Sequence, residues 1–121
     1  MVATEKEEHV PTRIASKVNS IAESLSLSQE DLAAIVGSSA RTVSRWASGD
    51  TTPQRLPKER LLQLDAVAEV LGGVLRPEAA NIWLSSPNRL LDWDTPAERI
   101  SRGGFRDVLA LIEALAEGIV V

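Results

Sequence analysis

The sequence contains no cysteine, and it has one histidine and four aromatic residues in 121. Without cysteine the chain can form no disulfide, no thiolate metal site and no thiol nucleophile. The histidine, His9, stands in a charged N-terminal stretch, where nothing would orient it as a general base or a metal ligand. A glycine-rich phosphate loop is missing as well. The sequence therefore predicts a protein that is not an enzyme and uses no metal and no cofactor.

Long apolar runs are also missing. No segment approaches the length needed to span a bilayer, and the N-terminus has no apolar run of a secretory signal. We therefore expect a cytoplasmic protein with no membrane partner. Residues 1–11 are polar and charged and end at Pro11, a composition that predicts a mobile N-terminal arm.

Apolar residues recur at helical spacing along most of the remaining chain. Because aromatic residues are few, Leu, Ile, Val and Ala must fill the core, and this set favours helices over strands. Strict alternation of the kind found in strands persists nowhere. The sequence predicts an all-α fold in which a helix-turn-helix bundle over residues 12–74 precedes a small helical domain over residues 75–121.

Capping residues mark where several helices begin. Ser28 with Asp31, and Thr95 with Glu98, have the spacing of capping boxes, in which a hydroxyl and a carboxylate satisfy the first backbone amides of a helix. Pro57 is predicted at the first position of the fourth helix, where its missing amide hydrogen is harmless.

The segment from Ser28 to Gly49 has the spacing of a helix-turn-helix. Ala33 is small enough for a second helix to cross the first there, and Gly37 tolerates the positive φ that the turn requires. Val43 and Trp46 supply the apolar contacts that hold the second helix to the core. Over its whole length this segment resembles the Xre (lambda repressor/Cro-like) helix-turn-helix.

Positive charge is concentrated in residues 37–62, which begin at the turn of this motif, although the whole chain has a net charge of −4. Residues 37–62 contain five basic and two acidic side chains, a local excess that suits a phosphate backbone. In Xre-like proteins the second helix of the motif enters the major groove, so the resemblance implies operator DNA as a partner. The candidate DNA-binding residues are Gln29, Ser39, Ala40, Arg41, Thr42, Ser44, Arg45, Arg55 and Lys58.

Side-chain chemistry suggests a role for each part of this set. Arg41 or Arg45 could fork onto guanine, and Thr42 could touch a thymine methyl group. The residues expected to contact phosphates are Gln29, Ser39, Arg55 and Lys58. The alternative is a helix-turn-helix that is retained as a scaffold and no longer binds DNA.

The second half of the chain carries another resemblance. The run from Asn81 to Leu91, the pair Thr95-Pro96 and a last amphipathic helix are similar to the toxin-binding domain of the Xre/MbcA/ParS antitoxin family. The ending from Leu111 to Val121 and the connecting stretch Pro53-Gln54-Arg55-Leu56 are especially similar to the MbcA branch. Together the two resemblances cover residues 12–121, in the module order of these antitoxins.

This resemblance implies an antitoxin of a type II toxin–antitoxin system. Such antitoxins neutralise RES-domain toxins, which consume NAD, and the antitoxin C-terminus helps to block the toxin's active-site cleft. Repression of its own operon, and a homodimer within a larger toxin–antitoxin complex, are further implications. The candidate toxin-binding residues are Trp83, Asn88, Arg89, Leu90, Gly118, Ile119, Val120 and Val121.

Several alternatives remain open at this point. Gly118 is expected to end the last helix in a left-handed cap, and the apolar residues 119–121 could either enter a partner or fold onto their own domain. Trp83 could be a core residue. The rival function is a transcriptional repressor whose C-terminal half dimerises or senses a ligand, whereas an RNA-binding adaptor would need a basic aromatic platform that the chain lacks.

Overall fold

The computed structural model describes the backbone of residues 2–119 and the side chains of residues 13–119. Within these bounds the fold is helical throughout and contains no strand, which confirms the predicted all-α class. The helices are α1 (Val2–Ser24), α2 (Gln29–Val36), α3 (Ala40–Ala47), α4 (Arg55–Leu71), α5 (Pro77–Ser85), α6 (Pro96–Ser101) and α7 (Phe105–Ala116), with a 3₁₀ turn at Arg89–Leu91. None of the described helices is both long and apolar enough to cross a bilayer.

Local capping produces the helix-turn-helix as predicted. Ser28 Oγ accepts a hydrogen bond from the Asp31 amide at 3.0 Å, and the Asp31 carboxylate accepts one from the Ser28 amide at 3.4 Å. At the start of α3, Ser39 Oγ accepts a hydrogen bond from the Thr42 amide at 3.1 Å. Gly37 has a φ of +79°, a conformation that glycine adopts without a steric penalty.

Helices α2 and α3 each contribute a buried apolar side chain at the positions that the sequence assigns to their crossing. Ala33 of α2 is 3% exposed and Trp46 of α3 is 2% exposed, and both belong to the core. Asn19 of α1 adds a polar tie, because its Nδ2 donates to the carbonyls of Ala15 at 2.8 Å and Ala47 at 3.2 Å. The end of α3 is thereby fixed against α1.

One continuous apolar core joins the two halves of the chain, with α4 at its centre. Helix α4 packs against α1, α2, α6 and α7. Its side chains Leu61, Leu64, Val67 and Leu71 have no exposed surface, and full burial of each stabilises the fold by about 1.5–3 kcal/mol. Among residues 13–119 no polar or charged residue is buried.

Two helix starts differ from the sequence prediction. Helix α1 begins at Val2, so the backbone is helical across residues 2–11, where the sequence predicts an arm. That prediction relied on the polar, charged composition and on Pro11, and it neglected the strong helix propensity of Ala, Glu and Lys. Helix α4 begins at Arg55 and not at Pro57, because the first amides of a helix have no intrahelical partner and proline is tolerated throughout the first turn. The domain boundary after residue 74 stays a prediction.

The helix crossing can be tested by overfilling it. Ala33→Leu is expected to lower the free energy of unfolding by about 1–3 kcal/mol, because the added carbons have no room between α2 and α3. Ala34→Leu makes the same change at the exposed neighbouring position and should alter stability by less than about 0.5 kcal/mol. Urea-induced unfolding measures both variants. Equal stabilities would show that the helices do not cross at Ala33.

Candidate DNA-binding and toxin-binding surfaces

Helix α3 has one side buried in the core and one side exposed to solvent. Arg41, Ser44 and Arg45 are exposed, and their spacing of three and four residues places them on one face of the helix. Val43 and Trp46 lie on the other side and are buried in the core. The three exposed residues therefore project from a helix whose orientation is fixed by packing.

Polar contacts distinguish the candidates on this face. Arg45 Nε donates to Asp50 Oδ2 at 3.2 Å, whereas no described carboxylate pairs with Arg41. Ser39 Oγ donates to Thr42 Oγ1 at 2.9 Å, so the two hydroxyls are engaged with each other at the start of the helix. Arg41 is thus the candidate whose guanidinium has its donors available for an external acceptor.

The other candidates stand at the first turns of their helices. Gln29 is the first residue of α2, Ala40 the first of α3, and Arg55 the first of α4, which also carries Lys58 in its first turn. Gln29, Arg55 and Lys58 are exposed, and Ala40 is half-buried. Unpaired backbone amides give helix starts a partial positive charge, which favours phosphate. The phosphate contacts of Gln29, Arg55 and Lys58 and the groove contact of Ala40 stay predictions.

Asn88 organises the loop between α5 and α6. Its Oδ1 accepts a hydrogen bond from the Leu90 amide at 2.9 Å. Its backbone carbonyl accepts from the amides of Leu91 and Trp93, both at 2.9 Å, and its own amide donates to the Asp94 carbonyl at 3.0 Å. Asn88 therefore fixes the shape of residues 88–94.

Arg99 fastens this loop to the last two helices. Its guanidinium donates to Asp94 at 3.1 Å, to Asp107 at 2.7 Å and to the Leu91 carbonyl at 2.6 Å. Desolvation lowers the pKa of Arg99, but the hydrogen bonds to the two aspartates outweigh it and raise the pKa above its usual value. The sequence did not indicate this network, because its members belong to three elements and no local spacing links them.

A groove with a volume of about 360 Å³ lies between α5, the loop and α7. Trp83 packs against the core and also lines this groove, so it contributes to both. Its indole Nε1 has no hydrogen-bond partner in the described structure. Ile82, Asn88 and Leu115 line the groove as well. Arg89 and Leu90, the other two candidates of the loop, are exposed.

The segment after α7 begins with a closed helix end. Gly118 has a φ of +89°, which confirms the predicted left-handed cap. Its amide donates to the Leu115 carbonyl at 3.0 Å, and the Ile119 amide donates to the Ala114 carbonyl at 2.9 Å, the two bonds of a Schellman motif. The side chain of Ile119 is 54% exposed. Residues 120–121 lie outside the described part of the chain.

The structure places the DNA-binding and the toxin-binding candidates on different elements of the fold. Asn88 and Leu115 line one groove, so the loop 88–94 and the end of α7 lie beside each other. The candidates for DNA stand on α2, α3 and the start of α4. Two large exposed side chains, Ile82 and Trp93, had no place among the sequence candidates, because no local spacing shows which apolar residues stay uncovered.

The role of Arg99 can be tested directly. Arg99→Ala should lower the melting temperature and speed amide hydrogen exchange at Leu90 and Trp93, because the loop loses its attachment to Asp94 and Asp107. Arg106→Ala, which removes an exposed arginine from α7, is the matched control and should change neither quantity. Unaltered exchange at Leu90 and Trp93 in the Arg99 variant would contradict this role.

Comparisons with known proteins cover both halves of the chain. The family model described as the antitoxin Xre-like helix-turn-helix domain matches residues 2–69, and that of the antitoxin Xre/MbcA/ParS C-terminal toxin-binding domain matches residues 63–118. The mycobacterial cidal antitoxin MbcA of Mycobacterium tuberculosis (strain H37Rv) is 46% identical over 108 residues, which are 89% of this chain and 96% of that protein. A probable mycobacterial cidal antitoxin of the same strain is 32% identical over 107 residues, covering 88% and 91%.

A solved structure agrees with these matches. A chain in the crystal structure of the M. tuberculosis MbcT–MbcA toxin–antitoxin complex is 47% identical and superposes with a TM-score of 0.79, covering 88% of this chain and 96% of that one. The relatives are named antitoxins, a non-enzymatic role that agrees with the expectation from the sequence. Both resemblances are therefore confirmed, and the chain belongs to the Xre/MbcA/ParS family of antitoxins.

Proposed function

We propose that this antitoxin neutralises a cognate RES-domain, NAD-consuming toxin through residues 75–121 and represses its own operon through the helix-turn-helix. The observation that carries the first part is the 46% identity to MbcA over 89% of this chain. A relative of similar identity occurs in a complex with the toxin MbcT. Both partners, the toxin and the operator, would be met in the cytoplasm.

The surface around the end of α7 supports toxin binding. Gly118 closes the helix, and Ile119 leaves it with an exposed side chain, so residues 119–121 can enter a cleft without disturbing α7. Burying three small aliphatic side chains would contribute about 1.5–3 kcal/mol each, and ordering the segment would offset part of that gain. The residues proposed for this interface are Trp83, Asn88, Arg89, Leu90 and residues 118–121, with Asn88 acting through the shape of its loop.

The exposed face of α3 supports DNA binding. Arg41 extends from a helix that Trp46 anchors in the core, and residues 37–62 carry a local excess of positive charge. A recognition helix reads half a site, so two copies would bind a pseudo-palindromic operator. We therefore place a homodimer of the antitoxin within the larger complex with the toxin.

Two kinds of arginine and lysine variant should fail differently on DNA. Arg41→Ala should cost about 1–3 kcal/mol and relax the choice of sequence, because a forked contact to a base is lost. Lys58→Ala should weaken binding to all sequences alike and reduce the salt slope by about one unit, because one phosphate contact is lost. Arg106→Ala on α7 is the control that should change neither. The measurement is a salt titration of binding to the DNA upstream of the gene and to scrambled DNA.

One result would contradict the DNA assignment. If the intact protein and the Arg41→Ala variant bound operator and scrambled DNA equally, α3 would not read bases, and the helix-turn-helix would be a scaffold. Toxin neutralisation would be unaffected by that outcome, because it relies on the other surface.

The contribution of the segment after α7 to toxin binding can be tested by removing it. A chain that ends at Glu117 should keep its fold and its DNA binding but protect cells poorly when it is coexpressed with the toxin from the neighbouring gene. Growth and cellular NAD report protection. A full-length variant with Ile119, Val120 and Val121 all replaced by serine is the matched control, because it keeps the backbone of the Gly118 cap and removes only apolar surface. It should protect as poorly as the truncated chain.

The possible outcomes separate the mechanism from the function. Full protection by the truncated chain would refute insertion of the segment while leaving the antitoxin role intact. If the intact protein gave no protection, the stand-alone repressor with a dimerising C-terminal half would be the better assignment.

A further inference from the structure

The loop between α5 and α6 holds a tryptophan in a backbone conformation that side chains rarely adopt. Trp93 has a φ of +68° and follows Asp92 at +56°. Among the described residues the third non-glycine position with positive φ is Ser26, so Trp93 is the bulky one of the three. Left-handed backbone is unfavourable for a large side chain. Burial of the indole offsets little of this cost, because the residue is 64% exposed.

The strained turn persists because its surroundings fix it from both sides. The Trp93 amide donates to the Asn88 carbonyl at 2.9 Å, which closes the turn. On the other side Arg99 binds the Leu91 carbonyl and the Asp94 carboxylate. Strain that a structure over-determines in this way is typical of binding sites. The indole is thereby displayed on a preorganised loop, and preorganisation reduces the entropy lost on binding.

We infer that Trp93 is an anchor of the toxin interface, seated in an apolar pocket on the toxin; this inference rests on the proposed function. Leu90, in the same loop, is 52% exposed and would enter the pocket beside it. The exposed Arg89 precedes Leu90 in the chain, whereas the Asp92 carboxylate lies 4.0 Å from the Arg99 guanidinium of the same structure. The complementary surface is therefore an apolar pocket whose rim carries a carboxylate to meet Arg89.

The position of the loop selects the toxin over other occupants. Asn88, which receives the Trp93 amide, lines the same groove as Leu115, and Leu115 lies one turn before Gly118. The loop and the segment that is proposed to enter the toxin's cleft therefore border one groove. A toxin that receives residues 119–121 would be within reach of the loop. Buried tryptophans supply a large share of the affinity in many protein interfaces.

Trp93→Gly separates a binding role from a structural one. Glycine suits a positive φ, so this variant should melt at the same temperature as the intact chain or higher. Its Kd for the purified toxin should nevertheless rise at least about tenfold. Leu56→Ala removes a comparably exposed apolar side chain from α4, in the helix-turn-helix half, and should leave the Kd unchanged. Arg99→Ala keeps the indole but frees the loop, and should weaken binding to an intermediate extent.

Each other outcome overturns the inference for a different reason. An unchanged Kd for Trp93→Gly, with the intact chain still binding the toxin, would refute the anchor and leave the proposed function standing. A lower melting temperature together with weaker binding would make Trp93 a structural residue. A change in the sedimentation of the antitoxin alone, with toxin affinity unaltered, would assign the loop to a second copy of this chain. Failure of the intact chain to bind the toxin would refute the proposed function as well.

Discussion

The buried stripe of α4 is the constraint on which the rest of the structure depends. Leu61, Leu64, Val67 and Leu71 are fully enclosed by helices from both ends of the chain. Helices α1 and α2 cover the stripe from the helix-turn-helix side, and α6 and α7 cover it from the other. Neither half can complete its own core without this helix. The two family models accordingly overlap on it, at residues 63–69, so the modules share a helix and are not joined by a linker.

A shared helix holds the two surfaces in a fixed relation. Helix α4 has 17 residues, a length of about 25 Å at the rise of an α-helix, and no hinge interrupts it. Hydrogen bonds between the two halves of the chain orient the halves more than they raise the free energy of unfolding. Asn81 Nδ2 of α5 donates to the carbonyls of Leu25 at 3.2 Å and Ser26 at 3.0 Å, which satisfies backbone groups at the end of α1. The half-buried ion pair between Lys17 Nζ and Asp65 Oδ2 at 2.9 Å links α1 to α4.

The sequence predicted those features whose cause is local. The capping boxes at Ser28 and Thr95 are formed, and Gly37 and Gly118 take the positive φ expected of them, because each depends on residues within a turn of one another. Features that depend on tertiary contacts were missed. No spacing in the sequence predicts that the Arg99 guanidinium donates hydrogen bonds to two carboxylates and a carbonyl.

Surface placement was the other part that the sequence could not supply. The sequence does not show that Ile82 and Trp93 are exposed, because whether such a residue is covered depends on which element packs over it. The helical backbone of residues 2–11 was missed for a related reason. Helix propensity and polar, charged composition gave opposite indications there, and the prediction followed composition.

The two proposed surfaces are built in opposite ways, and the chemistry of their partners explains why. A phosphate backbone and base edges are met by long, charged side chains, so α3 can be a regular helix with Arg41 free to adjust at its surface. A protein surface is bound through apolar shape complementarity, which favours a rigid loop. Residues 88–94 therefore adopt a left-handed backbone at Asp92 and Trp93. The fold tolerates this strained backbone because burial around α4 stabilises the whole domain, and because Arg99 attaches the loop to the last two helices. Glycine in place of Trp93 would therefore relieve the strain without lowering the stability of the fold, but it would remove the exposed indole.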